Sequence, residues 1–349
     1  IPGDNLSGND PKTEEIDRAM TKAVEDGAFG VKILGGHFPL TPEASAEIIR
    51  IAAERGIYAA WHAGTTKAGS NITGMKEAVE LASGHPFHLA HINAYCRGRV
   101  NGILDECKEA ESLLASHPEI VTESYLSDRN GCPLNFTADG KPASEILSAQ
   151  LRFFGFEPTR DGAVAAMKAD VLRAIAPRNG TLVLLPPKEG VEAFLSGEAK
   201  DGSFGAVNPI IARTFFATAK RADGTFLVDG ISTDGGVLPR NVIVRGGCGL
   251  MKLGGLSALE FAAKTSLIPA RMLKLDKKGR LSAGADADLT LYDPERMTAV
   301  HTFVRGETVL RDGRVIGRGG TVLVTEAGLE AVRRMGLRTE VLPGGIPTI

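Results

Sequence analysis

Residues 57–62, Ile57-Tyr58-Ala59-Ala60-Trp61-His62, are an apolar run ending on a histidine, and the reading of this run decides the fold. Ahead of it, Thr41-Pro42-Glu43-Ala44 opens a helix, with Thr41 as cap and proline at the first helical position, and that helix ends near Gly56. Behind it, a loop of Gly, Thr and Ser leads into a second helix that runs through Leu81. A six-residue run between two helical patterns is too short to be a helix and reads as a buried strand.

The same unit recurs on both sides. Ala28-Phe29-Gly30-Val31-Lys32-Ile33-Leu34 is a strand stopped by Gly35-Gly36, and it follows a helix from about Thr13 that places Ile16, Met20, Ala23 and Val24 at helical spacing. Pro86–Ile92 is the next strand, followed by a helix over about 101–115, and Glu119–Ser124 is another. Strands and helices alternating at intervals of ~30 residues indicate parallel βαβ units. Residues 126–224 break the rhythm, with helical patterns at about 143–153 and 162–175 and an apolar run Leu182-Val183-Leu184-Leu185, and read as an insertion. A strand over 225–233 resumes the pattern, and helices follow at about 257–263 and 268–274. From Gly279 the texture becomes short strands and turns, with Arg311-Asp312-Gly313-Arg314 as a hairpin signal, before a helix over about 325–335 and a tail rich in Gly and Pro. The expected class is α/β: a parallel barrel-like domain over 1–275, interrupted at about 126–224, and a small β-domain with the tail over 276–349.

Of the 349 residues 43% are hydrophobic and 23% charged, with a net charge of -2, which supports a sizeable core and gives no footprint for nucleic acid or an anionic membrane. Cys96, Cys107, Cys132 and Cys248 are scattered without CxxC spacing, so a reduced, cytoplasmic setting is expected.

Each parallel strand carries a polar residue at or near its C-terminal end: Lys32, His62, His91 and Asp234, the last in Ser232-Thr233-Asp234-Gly235-Gly236. In a (β/α) barrel those ends share one rim, so such groups can meet. Taken singly, Lys32 can be a snorkelling lysine, His62 and His91 core histidines and Asp234 a turn cap. Taken together they suggest a metal or catalytic centre, because neutral imidazoles and carboxylates suit Zn²⁺ and similar ions. A buried lysine amine can act as a nucleophile or take up CO₂. His88, on the face opposite His91, reads as structural, as do His37, His85, His117 and His301.

Four segments carry a resemblance to the amidohydrolase superfamily: Gly30-Val31-Lys32, Trp61-His62-Ala63-Gly64, Leu89-Ala90-His91-Ile92-Asn93 and Ser232-Thr233-Asp234-Gly235. They resemble strands four, five, six and eight of the branch holding dihydroorotases, isoaspartyl dipeptidases and N-acyl-D-amino-acid deacylases. Lys264–Arg271 and Gly279–Leu289 look like the family's passage from its last barrel helix into its β-domain. The resemblance implies the C-terminal portion of a (β/α)8 TIM-like barrel with part of a β-sandwich. It also implies a metal-dependent hydrolase of an amide-type C–N bond, in an N-acyl amino acid, unusual dipeptide or cyclic amide. In that scheme one or two divalent ions, Zn²⁺ first, bind Lys32 (as a carboxylated bridge), His62, His91 and Asp234. Metal-bound hydroxide attacks, and Asp234 serves as acid and base. By position, Asn93, Tyr95, Arg97 and Arg240 would bind the small-molecule substrate.

The family's His-x-His pair on strand one occurs nowhere in the chain, and only five barrel strands are legible. The expectation is that roughly 130–200 residues bearing strands one to three and His-x-His come from a second polypeptide or an upstream cleavage fragment, in an oligomeric assembly. The start at Ile1 agrees with that. Two other readings stay open: a non-catalytic assembly subunit of amidohydrolase fold, and a Schiff-base enzyme using Lys32.

Overall fold

The computed structural model describes residues 6–178, 181–235, 241–317 and 320–347. The chain divides into two compact units, one of Ile1–Leu126, Thr214–Ser232 and Ile243–Ile349, the other of Ser127–Arg213 and Thr233–Val242.

The first unit is built on a five-stranded sheet in the order Gly30–Leu34, Tyr58–His62, His88–Leu89, Val121–Tyr125, Gly230–Ser232, with every neighbouring pair parallel. Helices Thr13–Glu25, Pro42–Glu54, Ile72–Ala82 and Ile103–Ala115 form the crossovers. Val31 and Ile33 are buried and Lys32 between them is exposed, the alternation of a strand with one covered face. The amphipathic reading of the first helix also holds, with Ile16 and Met20 fully buried. Thr41 caps its helix by accepting from Ala44 N–H at 3.3 Å, with Pro42 behind it. Asn71, which sequence patterning did not single out, caps the next one through Thr73 and Gly74 N–H.

A helix over Ile243–Lys252 escapes the periodicity because it contains Gly246, Gly247 and Gly249, poor helix formers. Gly247 is required by packing: a Cβ there would stand 2.1 Å from the Phe261 ring. Ser257 forms a capping box with Glu260, and the helix it opens passes through a π-turn, Ala263–Leu267, into Ile268–Met272. The C-terminal meander pairs Leu289–Asp293, Thr298–Val304, Glu307–Arg311 and Arg314–Val315 antiparallel, and its last hairpin turns on Asp312 (φ 51°) and Gly313 (φ 74°). The final helix is shorter than its pattern, Leu329–Arg334, and is flanked by strands Val322–Val324 and Thr339–Val341, which pair in parallel.

The second unit contains an antiparallel sheet in the order Asn130–Pro133, Asp201–Phe204, Leu172–Arg178, Thr181–Leu184. The helix expected over 162–175 is therefore corrected. It spans Arg160–Lys168, the chain turns at Asp170 with φ 59°, and the residues beyond are a strand. The core of this unit joins Leu147, Leu151, Met167, Leu172 and Phe204, all fully buried. Among the described residues no helix is long and apolar enough to cross a membrane. All four cysteines are free and buried.

Lys264, inside the π-turn, is fully buried. Its ammonium donates to Ala217 O at 2.9 Å and lies 4.4 Å from the centre of the Phe226 ring. Burial pulls its pKa down to about 7, against the opposing pull of Asp229 and Glu260. Between that value and the ordinary 10.5 the unfolded chain holds a proton that the folded chain has released, so this group makes stability rise with pH across the window. The slope is at most about 1.4 kcal/mol per pH unit. Denaturation of the intact protein at pH 7 and pH 9 should show this rise, and Lys264→Met should lose it. An unchanged slope in the variant would show that Lys264 does not titrate there.

Candidate active site

His62 is the last residue of its strand, and the parallel register sets Lys32 beside Ala60 and Leu34 beside His62. Lys32 and His62 therefore project from the same face of the sheet. His91 follows the next strand by two residues and sits at φ 73°, a left-handed conformation that only a few per cent of residues other than Gly adopt. It brings the buried His91 ring to 4.6 Å from the His62 ring, centre to centre. His62 Nδ1 and His91 Nε2 face each other at 2.5 Å.

Each ring is held on its far side. His62 Nε2 lies 2.8 Å from Ser70 Oγ, and His91 Nδ1 lies 3.5 Å from Glu123 Oε1. The other oxygen of Glu123 bonds His88 Nε2, and His88 Nδ1 lies 2.8 Å from the Tyr58 hydroxyl. Burial, and then the charge of Glu123, pushes the Tyr58 phenol far up, so it keeps its proton and donates it to His88 Nδ1. His88 then donates from Nε2 to Glu123. Burial alone would raise Glu123, but the His88 and His91 imidazoles overcome it and hold the carboxyl well below the usual range. An ionised Glu123 only accepts, which places the His91 proton on Nδ1 and a lone pair on Nε2.

Burial, followed by the charges of His91, His37, Lys32 and Arg97, drives the His62 pKa well down, so this imidazole is neutral at neutral pH. If the Ser70 hydroxyl accepts from Nε2–H, His62 also presents a lone pair on Nδ1. Each of the two facing nitrogens then belongs to a ring whose outer nitrogen is engaged, the arrangement a ligating histidine needs. The donor chemistry fits a divalent ion. Without an ion, one proton shared between the rings satisfies the same contact. Among the described residues no group of three or more His, Cys, Asp or Glu side chains is arranged to hold an ion.

The remaining predicted residues fall as follows. Tyr95, fully buried, takes Ala63 N–H at 2.9 Å and donates to Ala90 O at 2.7 Å, tying together the chain after both histidine strands. Asn93 exchanges two hydrogen bonds with the Tyr125 backbone. Arg97 is half-buried and donates to the Tyr125 hydroxyl at 3.0 Å. Asp234 belongs to the second unit, at φ 46°, in a turn where Gly235 N–H donates to Thr233 Oγ1 at 3.1 Å. Arg240 lies outside the described residues.

Sequence reading missed Ser70, Glu123 and Glu106. Glu106 is fully buried, and its carboxylate accepts from Gly98, Val100 and Asn101 N–H at 2.6, 2.8 and 3.0 Å, which fixes the loop carrying Arg97. The signal available for Glu123 was a carboxylate in a strand whose five residues are all buried.

Residues 242–316 match the model of the amidohydrolase family. Solved structures that resemble most of the chain include the following. The formyltransferase/hydrolase complex FhcABCD of Methylorubrum extorquens, bound to methylofuran, gives a TM-score of 0.54 at 15% identity over 93% of this chain and 65% of that one. The chain has the amidohydrolase fold. D-Aminoacylase, described with a binuclear metal centre, gives 0.55 at 15% identity over 91% of this chain and 67% of its own. N-acyl-D-glutamate deacylase of Bordetella bronchiseptica, solved with zinc and a phosphonate inhibitor, gives 0.56 at 14% identity over 90% and 68%. This amidohydrolase-fold chain thus spans about two thirds of the length of each structure. A search of curated proteins finds no matching sequence.

Replacing Glu106 by Ala should leave three backbone N–H groups without their acceptor and cost about 1–3 kcal/mol in chemical denaturation. Trypsin should then cut the variant faster after Arg97 or Arg99. Unchanged stability and cleavage would mean that the loop is held by other contacts.

Proposed function

We propose that this chain is the C-terminal portion of a metal-dependent hydrolase that cleaves an amide-type C–N bond in an N-acyl amino acid, an unusual dipeptide or a cyclic amide. The observation that carries the reading is the convergence of His62 Nδ1 and His91 Nε2 at 2.5 Å, beyond the ends of adjacent parallel strands. His62 and His91 would hold one divalent ion, Zn²⁺ first, with Lys32, carboxylated, as a bridge to a second and Asp234 as a further ligand. Such ions, when bound, lower the pKa of a water and polarise a carbonyl. Asp234 takes the proton of the attacking water and delivers it to the leaving nitrogen. Arg97 would clamp a substrate carboxylate, for which its guanidinium is shaped, and Asn93, Tyr95 and Arg240 complete the proposed substrate-binding set. The binuclear centre of D-aminoacylase and the zinc of the Bordetella deacylase favour this reading.

The barrel-like domain extends over 1–275 and the β-domain with the tail over 276–349 in this proposal. The sheet ends at Gly30–Leu34 on one side and Gly230–Ser232 on the other. A closed barrel has eight strands and no edges. We assign the missing strands, and the His-x-His they would bear, to a second polypeptide or an upstream segment. The multi-subunit organisation of FhcABCD is a precedent for the first. Free, buried cysteines favour a cytoplasmic setting.

Metal analysis of the intact protein, with any companion chain, should find one or two equivalents of a divalent ion. His62→Ala or His91→Ala should lose at least one of them, and chelation should abolish hydrolysis until metal is restored. Asp234→Asn should lower kcat by about 10²–10⁴-fold. Metal-free protein without turnover would leave the assembly-subunit reading, and trapping of substrate on Lys32 by borohydride would leave the Schiff-base reading.

A further inference from the structure

Glu123 lies in a strand flanked on one side by His88–Leu89 and on the other by Gly230–Ser232. All five residues of its strand are buried, so both oxygens of a carboxyl group there need partners. It has them on the neighbouring strand and in the segment that follows that strand. Oε2 bonds His88 Nε2, and Oε1 faces His91 Nδ1 at 3.5 Å. Tyr58, on a third strand, fixes His88 from behind at 2.8 Å. The order Tyr58, His88, Glu123, His91, His62, Ser70 is thus one continuous line of polar contacts through the first unit, with the facing imidazole nitrogens in it.

We infer that Glu123 is a positioning residue for the metal centre: held by His88 and Tyr58, it sets the tautomer of His91 so that Nε2 offers a lone pair toward His62. This rests on the reading of His62 and His91 as metal ligands. A structural ion pair with His88 alone would need only one carboxylate oxygen, and would not require the second to face the ring of a neighbouring histidine. The line also gives a place to the half-buried His88, which takes part through both ring nitrogens.

Glu123→Gln is the test, because the amide keeps the shape of the carboxylate but accepts on one side only. The other side donates. With the amide oxygen on His88, the amide nitrogen faces His91 Nδ1, and His91 must carry its proton on Nε2, the nitrogen that would face the ion. Competition with a coloured chelator on the intact protein should then show Zn²⁺ affinity reduced by about 10–100-fold, the range found for such outer partners of ligating histidines. The thermal melt of the metal-free variant should remain near that of the parent. The ¹⁵N shifts of the His91 ring in metal-free parent protein should report Nδ1–H, and in the variant Nε2–H. Parent protein that binds no Zn²⁺ would overturn the metal reading itself. Parent that binds Zn²⁺ beside a variant of equal affinity would overturn the role of Glu123 alone. Should the variant fail to fold, the parent spectrum decides: His91 without a proton on Nδ1 in metal-free protein contradicts the inference.

Discussion

The contact between His62 and His91 depends on the parallel pairing of two short strands, Tyr58–His62 and His88–Leu89, in a register that aligns Trp61 with Leu89. His62 ends the first strand, and the left-handed backbone at His91 aims the second ring back at it. The Tyr95 hydroxyl joins Ala63 N to Ala90 O, so the segments that follow the two strands cannot move apart independently. An uncommon backbone conformation persists only where its surroundings enforce it, and here they do so beside the two rings. The geometry of the site is therefore a consequence of sheet register, and the sheet is in turn fixed by helices that cover its other face.

The electrostatics follow from the same arrangement. His62 is half-buried, and a protonated ring there would be opposed by the charges of His91, His37, Lys32 and Arg97. Glu123 on the other side is ionised despite burial because two imidazoles surround it. A neutral ring, an anchored ring and an anion behind it are the electrostatic setting that the proposed metal site relies on. Glu106 performs a comparable task one loop away, where three backbone N–H groups converge on its carboxylate and hold the segment that carries Arg97.

The first three parallel strands were legible because each lies in an apolar run between helical patterns, and a run of that kind needs no knowledge of its partner. The antiparallel sheet of the second unit was not. Leu172–Arg178 contains Leu, Arg and two Ala, residues of good helix propensity, and the helical pattern carries through the Asp170 turn unless that turn is noticed. Asp201–Phe204 has no β-branched residue at all, and only pairing makes it a strand. Val322–Val324 and Thr339–Val341 pair across an intervening helix, a contact that no local pattern reports. Within the site, His62 and His91 were legible as polar residues at strand ends. Glu123 was not, because its meaning lies in His88, 35 residues earlier in the chain. Asp234 was legible as a strand-end carboxylate, and the structure places it in the second unit.

The most direct measurement is an anomalous difference map from crystals of the intact protein, grown with any companion chain and recorded at the absorption edge of its metal. A metal held by the two rings gives a peak about 2.0–2.1 Å from both His62 Nδ1 and His91 Nε2, the distance of a zinc–imidazole bond. A map with no peak between those nitrogens, in protein that turns over substrate, would contradict the metal reading.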